Sequence, residues 1–460
     1  MIGLTILCTF SLALLIANIY CFKTKKYLNL FIPCMLFLPE YYGIEINNSL
    51  PLLTVSRMMF LVFFVYACIN RRKSINLKEI DLKDLPKPYY CLAGYFILRI
   101  VSNLYYITTY GQAAKTIFLI IFEQLLLLVS VYMLAPTKEE VHALIKAIVR
   151  GATVMFILGI FESFTAIRLA DALYTISRHV MNEHYIRLGL LRATVTLGMP
   201  GVYANMCILM LPLIIYLYRT SYQKRYIAIA LLDVFAVIHA GSRSDILYLF
   251  IIPVMYLVYV LRTKAERLEF TKNLFIIVAS LAVIITVLSA TNPYFKYYYV
   301  GTGKSVLNEI GFNFDLSEDS PDDSIGYGSN AKSGSFSRTM QFSGILYAAR
   351  INPVFGLGSG AQTRGDVQYY WDNNWRPIKT YDLGVVEIFC NEGLLGTLGL
   401  TLMLFYLVLV SKGNRSLTIL CPIYLLTTLN TGNLYAYLLL YVVMAYYKCS
   451  PECETTFENS

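Results

Sequence analysis

Charge is scarce in this 460-residue chain: Asp, Glu, Lys and Arg make up 15 % of it, while 57 % is hydrophobic. Soluble domains carry about 25 % charged residues, so an ordinary soluble fold is excluded. Paired cysteine spacing is also missing. Ten cysteines are present, most of them inside apolar runs, and no Cys-x-x-Cys occurs. A zinc ribbon or a disulfide framework is therefore not expected. The four histidines, His142, His179, His184 and His239, form no coherent ligand set with Asp or Glu, so no metal and no cofactor is expected. Gly356-Leu-Gly-Ser-Gly360 has neither a preceding strand nor a following Walker lysine, which makes it a poor nucleotide loop. No internal repeat is visible.

Long apolar runs are what the chain does contain. A membrane span needs about 20 mostly apolar residues. That criterion places spans near 2–22, 28–45, 51–70, 89–107, 113–134, 144–163, 198–218, 227–241, 245–261, 273–290, 384–410, 416–431 and 433–447. The expected fold is an all-α integral membrane protein, a polytopic bundle of about 12–14 transmembrane helices. Its expected parts are helices 1–10 over residues 1–290, one large extracytoplasmic loop over 291–382 with short helices in it, C-terminal helices over 383–448 and a cytoplasmic tail over 449–460. The first apolar run lacks a basic n-region and an Ala-x-Ala site, and reads as a first span instead of a cleaved signal.

Basic clusters follow alternate spans: Lys23–Lys26, Arg71–Lys73, Arg219–Arg225, Arg262–Arg267 and Lys412–Arg415. Placed in the cytoplasm, they put the large loop outside. Within 291–381 the basic residues, from Lys296 to Lys379, balance the acidic ones, from Glu309 to Asp372. The formal net charge of +9 thus belongs to the membrane part and its cytoplasmic loops, suits anionic lipid, and gives no reason to expect nucleic acid. In the loop, 312–335 is rich in Asp, Ser and Gly and reads as mobile. Residues 338–350 read as a helix ended by Asn352-Pro353.

Three arginines stand at expected external helix ends or loops: Arg192, Arg243 and Arg338. Arginine presents a fixed fork of donors that suits phosphate oxygens, so the three together would cradle a pyrophosphate. The plainer alternatives are snorkelling of Arg192, a local pair between Arg243 and Asp245, and solvation of Arg338. Asp382, at the entry to the 384–410 span, is either a helix N-cap or a general base. Glu387, one turn further in, is less easily a cap. Trp371, Trp375 and Tyr381 suit either the lipid headgroup layer or a sugar face.

The order of these pieces resembles the O-antigen polymerase and O-antigen ligase superfamily. The resemblance rests on Arg192…Gly198-x-Pro200, Gly241-Ser-Arg-Ser-Asp245, Ser337-Arg338…Asn352-Pro-x-x-Gly-x-Gly-x-Gly360, and Asp382…Glu392-Gly-Leu-Leu-Gly396. It covers roughly residues 145–410 through loose motifs. It implies a membrane glycosyltransferase acting on undecaprenyl-diphosphate-linked oligosaccharide at the outer side of a bacterial cytoplasmic (inner) membrane. The implied product is a surface polysaccharide: O-antigen, capsule or exopolysaccharide. A polysaccharide chain-length regulator is the partner the resemblance suggests. Family ligases, which transfer to lipid A-core, usually show His-Asn where this chain has Asp382-Leu383, so the resemblance favours a polymerase over a ligase. A lipid-linked oligosaccharide flippase is the alternative from another class. The implied roles are diphosphate binding by Arg192, Arg243 and Arg338, acceptor activation by Asp382, and glycan contact by Trp371, Trp375 and Tyr381.

Overall fold

The computed structural model describes residues 2–24, 26–38, 42–44, 52–72, 87–173, 185–309, 311–316, 331–371, 373–378, 381, 383–410 and 418–430. Helix makes up 77 % of it, and the strands described form three antiparallel two-stranded hairpins. The helices are α1 (Ile2–Lys23), α2 (Leu28–Phe37), α3 (Val55–Ile69), α4 (Lys87–Leu104), α5 (Gly111–Leu119), α6 (Leu126–Leu134), α7 (Lys138–Thr165), α8 (Pro200–Ser221), α9 (Arg225–Ala240), α10 (Arg243–Met255), α11 (Lys264–Thr291), α12 (Pro293–Glu309), α13 (Ala331–Ile351), α14 (Ala361–Arg364), α15 (Gly384–Val410) and α16 (Leu420–Asn430). Strands β1 (Gly43–Ile44) and β2 (Leu53–Thr54), β3 (Ile186–Arg187) and β4 (Leu190–Leu191), and β5 (Gln368–Trp371) and β6 (Asn374–Pro377) make the hairpins. A π-helical stretch, Ile120–Leu125, joins α5 to α6, and another, Tyr256–Val260, extends α10.

Local chemistry accounts for several of the helix ends. Pro200 opens α8 at its first turn, where its missing N–H costs nothing. Thr263 and Glu266 form a capping box at α11, satisfying two orphan amides reciprocally. Gly241, left-handed at φ 60°, closes α9, the conformation glycine adopts without a Cβ penalty.

Among the described residues, seven helical segments are long and apolar enough to cross a membrane: Thr5–Lys23, Gly111–Leu134, Lys138–Thr165, Pro200–Ser221, Arg243–Val260, Lys264–Thr291 and Gly384–Val410. The chain is therefore an all-α polytopic membrane protein. The other expected spans within the described residues coincide with helices of a different kind. α2, α3, α9 and α16 are shorter, and α4 carries Lys87 and Arg99. The 433–447 span lies outside the described residues. α11 buries Leu281 alone, leaving Phe275, Val278 and Val283 exposed. Such apolar exposure suits hydrocarbon, where the helix has already satisfied its own backbone groups.

Two compact units divide the chain. One contains Met1–Leu144, Arg338–Cys421 and Thr428–Ser460; the other contains Ile145–Ser337 and Pro422–Thr427. Within the expected loop, α12 and α13 are helical. α13 starts at Ala331, earlier than the expected 338, because 331–351 holds no proline to interrupt it. The end of the stretch read as mobile is thus helical, and 317–330 lies outside the described residues.

Candidate functional site

In the unit built on Ile145–Ser337, the hairpin β3–β4 turns tightly through Leu188 and Gly189, both with positive φ. This turn sets Arg187 on one strand and Arg192 just beyond the other. Both guanidinium groups reach the end of α9. Arg192 Nε donates to the Ala240 carbonyl at 2.8 Å, and Arg187 Nη1 donates to the Gly241 carbonyl at 2.6 Å. The neighbouring carbonyls are also taken: Ala193 N–H donates to His239 O at 3.0 Å, and Tyr298 Oη donates to Ile238 O at 2.7 Å. A helix C-terminus carries partial negative charge, so cations settle there. The fit around Gly241 is close, because a Cβ on it would lie 3.3 Å from both Arg192 Nε and Tyr298 Oη. Burial pushes the Tyr298 phenol up to about 12 despite the opposing pull of Arg192 and Arg187, so it donates as a neutral hydroxyl.

Arg243 follows two residues after Gly241. It opens α10 and is buried, as is Asp245 in the same first turn. Two arginines that the sequence separates by fifty residues therefore sit on one helix-to-helix junction, and Arg187 joins them.

Glu162 supports the Arg192 segment from the end of α7. Its carboxylate accepts from Thr194 Oγ1 at 2.9 Å and from Val195 N–H at 2.7 Å, and pairs with the buried Arg168 at 3.2 Å. His239 is fully buried, with Nδ1 2.9 Å from Ser163 Oγ and Nε2 3.0 Å from Tyr299 Oη. These contacts make His239 a brace between α7, α9 and α12. Among the described residues no group of three His, Cys, Asp or Glu is placed to hold a metal ion.

The remaining expected site residues belong to the other unit. Arg338 lies in α13, and its side chain is outside the described residues; so is Asp382 altogether. Trp375 meets Tyr370 edge-on at 5.4 Å and Tyr347 at 5.3 Å, with Trp375 and Tyr370 both exposed. Trp371 pairs with Asn374 across the hairpin, so it stands apart from Trp375 along the strand alternation. Tyr381 packs on the cluster of Leu383, Val386 and Cys390, and burial pushes its phenol far above its ordinary range.

The third and fourth motifs are revealed as two halves of one structural joint. α15 is broken at Gly393, whose φ of 65° and ψ of −153° are not helical. The glycine-rich turn supplies the hydrogen bonds that the break removes. Leu357 N–H donates to Cys390 O at 2.7 Å and Gly358 N–H to Asn391 O at 3.0 Å. In return, Leu394 N–H donates to Pro353 O at 2.9 Å and Leu395 N–H to Val354 O at 3.2 Å. Gly356 must be glycine here, since its Cβ would lie 2.6 Å from Gly393 N.

Arg99 of α4 clamps the joint through Glu392, with Nε and Nη2 donating at 2.7 and 2.6 Å to the two carboxylate oxygens. Ser102 Oγ lies 2.9 Å from Glu392 O and 3.2 Å from Phe355 O. Arg364 fills the turn, donating to Leu357 O and Ser359 O, each at 2.8 Å, and lying over the Tyr110 ring. Backbone bonds and a buried ion pair pin the turn in place.

Arg187, Glu162 and Arg99 were not singled out by the sequence motifs, whereas Glu392 stood in the last of them without its partner. Arg99 and Glu392 did leave a signal, namely opposite charges set inside apolar runs. The chain matches no protein-family model and no curated protein.

Proposed function

We propose that this chain is a membrane glycosyltransferase that polymerises lipid-diphosphate-linked oligosaccharide repeat units into a surface polysaccharide. On this reading it works on the outer side of a bacterial cytoplasmic membrane and takes undecaprenyl diphosphate as the leaving group. The observation that supports it is the convergence of Arg192 and Arg243 on the Ala240–Arg243 junction. Fixed guanidinium groups stabilise the charge that grows on a departing diphosphate, and they do so without reorganising during the reaction. The acceptor hydroxyl attacks the anomeric carbon, the carbon–oxygen bond to the diphosphate breaks, and the hydroxyl proton passes to a carboxylate. Asp382 is the carboxylate the motif resemblance assigns to that step, and Arg338 is its further phosphate-binding arginine. The exposed pair Tyr370 and Trp375 offers faces on which a glycan packs.

The test compares variants in membranes supplied with lipid-diphosphate-linked oligosaccharide. Arg192→Ala and Arg243→Ala should each lower glycan transfer by about 10²-fold or more, the scale of losing one preorganised charge-stabilising donor. Both proteins should still insert into the membrane. Full polymer formation by both variants would remove the diphosphate role.

A further inference from the structure

We propose that α13 is a membrane-surface helix: its Phe342–Leu346 side, with the Ile351–Val354 turn that follows, sits in the lipid leaflet at the Gly393 end of α4 and α15. This seating goes beyond the transferase reading and does not depend on the chemistry of the α9–α10 junction.

The exposed sides of two neighbouring helices lead to it. α4 lies close along α15, since a Cβ on Gly399 would come within 3.3 Å of Tyr95 O. Away from that contact both helices expose apolar residues at helical spacing. On α15 these are Leu394, Leu398 and Phe405, and on α4 they are Ile97, Val101 and Leu104. Helix sides of this kind in a polytopic membrane protein face hydrocarbon.

Both sides end on the same short segment. Leu394 N–H donates to Pro353 O at 2.9 Å and Leu395 N–H to Val354 O at 3.2 Å. The Tyr105 ring, one residue beyond Leu104, stacks on Phe355 with centroids 4.3 Å apart and planes 9° apart. The α15 span ends at Val410, and residues 394–410 rise about 25 Å at about 1.5 Å per residue. The hydrocarbon is about 30 Å thick. Pro353–Phe355 therefore lies near its edge, and α13 ends just before it, at Ile351.

α13 carries the apolar surface onward. Its buried side holds Gln341, Gly344 and Ala348, packed towards Ile378 and the cluster around Val386. A helix in water would make its other side polar. Here that side exposes Phe342 at 45 % and Leu346 at 62 %, while Ile351 and Val354, at and beyond the helix end, are 58 % and 42 % exposed. Single exposed apolar residues are ordinary, but a run of them marks an interaction surface. This run continues from hydrocarbon-facing helices, so its neighbour is lipid. Arg350, exposed one turn after Leu346, suits a surface helix, because an arginine stem lies on apolar groups while its guanidinium reaches the headgroups. Tyr347 of the same helix meets Trp375 at 5.3 Å, and tyrosine and tryptophan collect at headgroup depth.

The experiment uses the full chain in lipid nanodiscs. Phe342→Trp and Leu346→Trp are made singly at these exposed positions, with Leu398→Trp on α15 as the lipid-facing reference. The fluorescence of the parent's Trp371 and Trp375 is subtracted. Phospholipid brominated near the headgroup end of its chains is the lipid probe, and iodide is the aqueous probe. Brominated lipid should quench the fluorescence gained at 342 and 346 to an extent comparable with Leu398→Trp; that loss, with or without an effect of iodide, upholds the proposal. Quenching by iodide alone would return this side of α13 to water and overturn it. Protection from both probes would assign the surface to a protein partner or a second copy of the chain, and would overturn it equally.

Discussion

Arg99 and Glu392 meet at a depth where water does not reach, with 6 % and 5 % of their side chains exposed. A buried pair of this kind contributes less by its attraction than it costs when half of it is lost, because the partner's charge then stands alone. Glu392→Ala should therefore destabilise the protein by about 3–5 kcal/mol, while the double change Arg99→Met with Glu392→Met should recover most of that. Thermal unfolding in detergent reads both. Equal loss in the single and double variants would show that the charges are not coupled. Glu387 makes a contrast on the same helix. It is partly buried beside Leu383, Val386 and Cys390, within the field of the Arg99–Glu392 pair. The sequence made these residues visible as charges in apolar runs, but only the fold assigns Arg99 to Glu392, because nearly three hundred residues separate them. Arg192 and Arg243 were legible from their motifs for the opposite reason: each is tied to a short local pattern that ends in a helix start. Arg187 was not, since its partner is a backbone carbonyl and no residue type announces that.

At the scale of elements, the glycine-rich turn and the broken helix α15 exchange backbone hydrogen bonds in both directions. Sequence patterning located the two halves, Asn352–Gly360 and Glu392–Gly396, and the helix stop at Asn352-Pro353. It could not show that each half satisfies the other, since backbone pairing leaves no mark on side-chain chemistry. Gly393→Ala should cost about 1–3 kcal/mol from backbone strain alone, with further loss because its Cβ would overlap the Gly356 and Val354 backbone. Gly303→Ala, in α12 with open space around it, is the matched control and should be neutral or slightly stabilising. Thermal midpoints of the two variants decide the matter. Similar midpoints would mean that the joint tolerates a side chain and is looser than its hydrogen bonds imply.

For the whole molecule, hydropathy alone was enough to give the class: a helical, polytopic membrane protein, with one helix, α11, that leaves much of its apolar surface exposed. The number of spans was less legible. The run 28–45 approaches the length criterion, whereas its helix ends at Phe37, and the run 227–241 falls short of it, as does its helix, which ends at Ala240. The functional reading is carried by one junction in one unit, where Arg187 and Arg192 reach the end of α9 and the buried Arg243 begins α10. Its central claim is that the chain forms glycosidic bonds using a lipid diphosphate as leaving group. The direct measurement supplies the purified protein in vesicles with lipid-diphosphate-linked oligosaccharide and resolves the products by size. A ladder of increasing repeat number, with release of undecaprenyl diphosphate, is the predicted result. Movement of the lipid-linked oligosaccharide across the bilayer with no new glycosidic bond would contradict the account.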